Sequence, residues 1–269
     1  MTVFGSTELV ARIERAECAM LAEGVARAAG GFAIELAGGI ASWGGASSPL
    51  NKVAGLGFAG PLDPVALDAV EAAFAARDTP VQVELATLAD PAIAPMLTAR
   101  GYALVGFENV LVRRLPIDAP VPPPGITVEP SPLAELQTWI DVIVTGFAHA
   151  DTDGVPTHEH FPRETLTRVL RETASGPHHR RYLARRDGAV AGAGGLRLAD
   201  GIAQLAGAAT LPAHRRRGVQ TALLAARLAD AGAAGGELAA ITTLPGSKSQ
   251  SNAQRDGFAL VYTRAILVR

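Results

Sequence analysis

The chain of 269 residues has one cysteine, Cys18, which excludes an internal disulfide framework and a cysteine-built zinc cage. It has no excess of basic charge. The formal net charge is −2, which argues against a general nucleic-acid binder, whose footprint is basic. It also has no apolar run of 18 residues free of charges and turn residues. The first fifteen positions carry Glu8, Arg12, Glu14 and Arg15 where a secretory signal would need an apolar core. With 48% hydrophobic and 19% charged residues, the expectation is a globular cytoplasmic protein with no membrane partner.

The most informative stretch is 212–224, Pro-Ala-His-Arg-Arg-Arg-Gly-Val-Gln-Thr-Ala-Leu-Leu. An apolar run ends just before it at Leu211, and an Ala/Leu-rich segment follows to Ala231. The pattern predicts a strand, a tight basic loop and a helix. The first turn of such a helix, Val219 to Thr221, offers backbone N–H groups and the positive end of the helix dipole, which suit a phosphate or pyrophosphate. Arg215, Arg216 and Arg217 add cationic charge, and Gly218 lets backbone approach a ligand.

Around this cradle the order of elements is legible. A first strand is expected at 126–129, helices at 133–147 and 162–173, and a hairpin of 179–186 with 189–198 through Asp187-Gly188, a dipeptide that favours a tight primed turn. One long strand is expected at 202–211. After the helix come a strand at 238–243, a short helix at 247–255, Gly257-Phe258, and a pair of β-rich runs over 259–269.

Five prolines in the eleven residues 115–125 mark a stiff linker, since proline fixes φ and donates no backbone hydrogen bond. The predicted units are 1–115 and 126–269, joined by 116–125. They are related. With an offset of 156 residues, 84–113 lies over 240–269 without a gap, and nine of thirty positions are identical. Among them are Gly101/Gly257, Ala103/Ala259, Leu104/Leu260 and Val105/Val261, and the pair of runs closes on Leu-Val-Arg in both. This reads as an internal duplication. Where the second unit has Arg216 to Gln220, the first has Gly60-Pro61-Leu62-Asp63-Pro64. The arginines have no counterpart, two prolines remove donors, and Asp63 is suited to cap the next helix with the carboxylate that a phosphate would displace. The glycines at 38, 39, 44 and 45 and the run 47–52 are read as a pocket lining or as a hairpin and loop.

The loop 212–224 resembles the acyl-CoA pyrophosphate loop of the GNAT superfamily of N-acetyltransferases, Gln/Arg-x-x-Gly-x-Gly/Ala. Arg215, Gly218 and Gln220 fill its three fixed places, Gln220 standing where a small residue is usual. The resemblance covers about 125–269. It implies an α/β fold of two GNAT-like units, each a mixed, mostly antiparallel sheet flanked by helices, the first degenerate and without the loop. It further implies acetyl-CoA as co-substrate, entering where two parallel strands splay, with Ala209, Thr210 and Leu211 offering backbone groups to its pantetheine arm. An acceptor amine would attack the thioester directly, with no metal.

General acids and bases are scarce. The tyrosine many members carry four residues before Gly-Phe is Ala253 here, with Asn252 beside it, and near the strand leading into the loop, where a glutamate often serves as base, the nearest polar residue is Gln204, which cannot. Proton transfer through ordered water, or by a base from the loop joining the first two helices, stays open. His149 in that loop is a candidate, histidine being the side chain suited to move protons near neutral pH. His158-Glu159-His160 alternates and so does not share a face, and Asp151 to Gly154 is too short for a calcium loop. The expected activity is transfer of an acetyl or longer acyl group to a small-molecule amine. Protein lysine or N-terminal acetylation and a non-catalytic CoA-binding sensor are the alternatives. The protein is expected to be a monomer or homodimer.

Overall fold

The computed structural model describes residues 3–117, 122–149, 155 and 160–269. The first half supplies α1 (Thr7–Val25), β1 (Phe32–Leu36), β2 (Gly39–Trp43), β3 (Lys52–Ala54), α2 (Pro64–Ala75), β4 (Gln82–Ala86), α3 (Ile93–Ala99) and β5 (Ala103–Arg114). The second supplies β6 (Ile126–Pro130), α4 (Leu136–Ala148), α5 (Arg163–Thr173), β7 (His179–Arg186), β8 (Ala189–Ala199), β9 (Ile202–Gln204), β10 (Ala209–Thr210), α6 (Val219–Ala233), β11 (Leu238–Thr243), α7 (Lys248–Arg255) and β12 (Ala259–Val268). The Asp187-Gly188 turn closes the β7–β8 hairpin with positive φ at both residues, as its sequence predicts. The hairpin at 37–38 does the same for β1 and β2, and its Gly38 and Gly39 border a shallow groove beside Cys18.

All strands join one sheet in the order β1-β2-β3-β4-β12-β5-β11-β9-β8-β7-β6, with β10 paired to β8. Among the described residues only β3/β4 and β9/β11 are parallel. The two units exchange their last strands. β12 pairs with β4 of the first unit, and β5 pairs with β11 of the second, while β5 and β12 run antiparallel to each other through the middle. The expected pair of runs over 259–269 is therefore a single strand. Its bulges between Leu260 and Tyr262 and between Ile266 and Leu267 break the alternation that a turn would otherwise explain.

Alternation along the strands fixes the layers. Ala239 packs against α6 through Leu224 and Leu228, whereas Leu238 and Ala240 pack against Val10 and Ile13 of α1. One face thus carries α1, α4 and α5, and the other carries α2, α3, α6 and α7. Phe74 and Leu67 of α2 and Leu223 of α6 are fully buried, each such side chain contributing about 1.5–3 kcal/mol relative to exposure.

A buried charge network crosses the junction. Arg264 on β12 is 1% exposed; its Nε donates to Glu14 Oε1 at 2.8 Å and its Nη1 to Glu108 Oε2 at 2.9 Å. Glu84 lies 3.6 Å from the same guanidinium and takes a 2.5 Å bond from Lys52 Nζ. The Tyr262 hydroxyl donates to Glu14. Residues 108 and 264 are direct partners in the β5–β12 register, and the 156-residue offset places one over the other. The same position of the repeat is thus glutamate in one copy and arginine in the other, and the two meet.

Candidate functional site

The run 202–211 is broken in two, and the break makes the site. β9 pairs with β11 through Ile202–Leu238, Ala203–Ala239 and Gln204–Ala240, and Leu205 N–H donates to Ala240 C=O at 2.9 Å. Beyond that the chain leaves β11, and Ala209 and Thr210 pair only with β8, at Ala193 and Gly192. A Cβ on Gly192 would lie 2.9 Å from the Ala209 carbonyl oxygen and from side chains of α6. A Cβ on Gly146 of α4 would lie 2.3 Å from Ala209 Cβ. The small residues let both helices close on the diverging strand.

Gly218 sits at the N-cap of α6 with φ +82°, and no side chain caps this helix. Its first-turn donors therefore face the cleft without a built-in acceptor. Arg216 also adopts a positive φ of 58°, which costs an L-residue energy and is sustained by the tight loop. Arg215 turns inward: its Nε donates to Thr210 C=O at 3.3 Å and its Nη2 to the His149 carbonyl, tying β10 to the end of α4. Arg216 and Arg217 are exposed.

The resulting cleft has a volume of about 1020 Å³. Ala209, Thr210, Arg215, Arg216, Arg217, Gly218, Val219, Gln220, Thr221 and Asn252 all line it, whereas Leu211 packs instead against the α4 cluster. Three residues the sequence reading did not single out also line it, Lys248, Ser249 and Arg255 of α7. The amphipathic pattern of α7, with Ala253 alone buried, is the signal that could have found them. The described lining holds five formal cations, Arg215, Arg216, Arg217, Lys248 and Arg255, and no carboxylate. Thr210 Oγ1 and His214 Nδ1 are buried in the wall without a hydrogen-bond partner among the described residues.

The structure places the other candidates apart. His149 is exposed at the C-cap of α4, where its Nδ1 lies 2.9 Å from the Thr145 carbonyl, and it is not among the lining residues. Asn252 Oδ1 accepts from Arg255. Val155 N–H donates to Pro245 C=O at 3.3 Å, just beyond the end of β11. His158, Glu159 and Asp151 to Gly154 lie outside the described residues. Among the described residues no three of His, Cys, Asp and Glu gather as a metal-holding group, and no helix is long and apolar enough to cross a membrane.

Gln204 is the last residue of β9 before the strands part, and it is not isolated. Its Nε2 donates to Glu17 Oε2 of α1 at 3.2 Å, and its Oε1 accepts from Arg197 Nη1 at 2.8 Å. Arg197 in turn binds Glu23 at 2.6 Å. Burial raises the Glu17 carboxyl above the ordinary value of 4.5, with the nearby Arg264 opposing it. Burial and the neighbouring Glu84 carboxylate raise Glu108 to about 7.

Residues 147–258 match the Acetyltransferase (GNAT) family. No curated protein matches the chain. Among solved structures it is similar to a GCN5-related N-acetyltransferase from Kribbella flavida, at 24% identity over 95% of each chain with a TM-score of 0.69. It is also similar to a GCN5-related N-acetyltransferase from Sphaerobacter thermophilus, at 17% identity over 76% of this chain and 66% of that one, TM-score 0.58. A tandem GNAT protein from the clavulanic acid biosynthesis pathway aligns at 14% identity over 86% and 78%, TM-score 0.60. The chain therefore carries a GNAT-family domain over 147–258, set within a fold of two GNAT-like units.

Proposed function

We propose that the protein is an acyl-CoA-dependent N-acyltransferase that moves an acetyl group from acetyl-CoA to a primary amine of a small molecule. The observation that carries this reading is the cationic, carboxylate-free cleft built on the uncapped N-terminus of α6. The residues present fit a pyrophosphate. The N–H groups of the first turn and the Arg216 and Arg217 guanidiniums would hold its oxygens, and Gly218 leaves no Cβ in the way. Ala209 and Thr210, released from β11 by the splay, would hold the pantetheine arm, and the orphan Thr210 hydroxyl is a spare partner for it. When bound, acetyl-CoA supplies an activated acyl carbon; the protein needs only to orient an amine against it and move one proton.

The first unit is read as a support without a cradle, because Asp63 already occupies the N-terminus of α2: its Oδ1 accepts from Val65 N–H at 2.9 Å. Calorimetric titration of acetyl-CoA tests both statements. One site per chain, lost in Gly218→Asp and weakened in Arg217→Ala, is expected. Two equivalent sites would overturn the reading of the first unit, and no binding at millimolar acetyl-CoA would overturn the function. A screen of primary amines then identifies the acceptor.

A further inference from the structure

The strand that leads into the cleft ends in a glutamine, and an amide cannot take a proton from an amine. The carboxylate beside it comes from the other half of the molecule. On α1 the buried stripe Val10, Ile13, Glu14, Leu21 follows helical spacing, and Glu17 falls on the same stripe. The apolar members seat α1 on β9 and β11, against Ile202, Leu238 and Ala240. That seating delivers Glu17 to the vertex of the splay, 3.2 Å from Gln204. The Glu17 side chain keeps 12% exposure where Glu14 has 1%, so of these two carboxylates Glu17 is the less enclosed.

We infer that Glu17, supplied by the first unit, is the proton acceptor for the acyl transfer proposed above, with Gln204 as its positioning residue. This rests on the acyltransferase reading. Glu17 takes one proton from the acceptor ammonium and so frees the lone pair that forms the N–C bond as the C–S bond breaks. The second nitrogen proton passes through water to the departing thiolate, and Glu17 returns its own to solvent. The groups facing Glu17 are Glu14 of its own helix, Lys52 of β3, Glu84 of β4, Glu108 of β5, Tyr262 and Arg264 of β12, and Gln204 of β9 with Arg197 behind it. Burial above all favours a bound proton, and the Glu84 and Glu14 carboxylates add to it against Arg264 and Lys52, so Glu17 is a stronger base than an exposed glutamate. The first unit thus has a chemical task as well as a structural one.

The test uses the full chain and three variants: Glu17→Gln, Glu17→Asp, and the exchange Glu17→Gln with Gln204→Glu, which moves the carboxylate from α1 to β9 while keeping the charge and the amide. The first readout needs no acceptor. In carbon NMR of glutamate-labelled protein, the Glu17 carboxyl should titrate above the exposed glutamates; a midpoint at or below theirs overturns the proposal. The second is transfer to ethanolamine, protonated at neutral pH, and to hydroxylamine, already neutral there. Glu17→Gln should lose about 100-fold in kcat with ethanolamine, far less with hydroxylamine, and retain its acetyl-CoA affinity by calorimetry. Glu17→Asp should keep part of the activity, and the exchange variant should recover most of it. Equal loss with both amines, no recovery on exchange, or a wild type that binds acetyl-CoA yet acylates neither amine overturns the assignment. Failure of acetyl-CoA to bind at all would instead sink the function itself.

Discussion

α2 and α6 occupy matching places in the two units, each following a strand at a parallel pair, yet their N-termini differ in kind. At α2 the helix dipole and its first donors are answered from within, by the carboxylate of Asp63 with Pro64 behind it. At α6 the cap is a glycine with φ +82° and no side chain reaches in. A helix start that is satisfied internally stabilises the fold; one left open is less stable alone and selects an anion. On the function proposed above, this contrast separates a structural helix start from a binding one.

The sharpest way to break the comparison is to give α6 the cap of α2. Gly218→Asp places a carboxylate at the cleft and a Cβ at positive φ, 2.8 Å from Pro123. Affinity for acetyl-CoA should fall by at least about 100-fold, on the order of 3 kcal/mol, as read by calorimetry. Retained binding would mean that the helix terminus is not the anchor. Next in size is the junction the two units share. Arg264→Met leaves the Glu14 carboxylate buried without its cation and should cost about 3–5 kcal/mol, a fall in Tm on the order of 10 °C by calorimetric scan.

A pH series sharpens the same point. Glu108 has a folded pKa raised to about 7, so the native state holds its proton where the unfolded chain has lost it, and its contribution to stability declines as pH rises from about 4.5 to 7. His179, lowered to about 4 by burial and Arg197, works in the opposite sense: its contribution is full above the unfolded value of 6.5 and is lost as pH falls towards 4. The difference in Tm between Glu108→Gln and wild type cancels the histidine and should therefore increase from pH 5 to pH 8; a flat difference would remove Glu108 from the account. The smallest effect belongs to the satisfied helix: Asp63→Ala should cost about 1 kcal/mol in urea unfolding and leave acetyl-CoA affinity unchanged.

Much of this was legible before any coordinates. The arginine loop, 212–221, depends on neighbours within ten positions, and local chemistry is what sequence displays, whereas the α7 residues that complete the lining come from further along the chain. The duplication was legible because β4, β5 and α2 repeat in order. The strand exchange was not, for the same reason: β5 and β12 carry the same pattern, so either strand satisfies either sheet and alternation cannot tell them apart. The break in 202–211 was hidden because Ala206, Gly207 and Ala208 read as strand filler. Glu17 lies 187 positions from Gln204, and nothing local to either residue announces the meeting.

The exchange also imposes a timetable. β4 ends at residue 86, and the strand that covers its open edge begins at 259. At a synthesis rate of roughly 5–20 residues per second, that edge waits on the order of ten seconds or longer after its own translation. During that interval its unpaired N–H and C=O groups are a template for any passing strand. The N-terminal half of this protein cannot reach its native strand pairing first. That pairing waits until its sister repeat has been made.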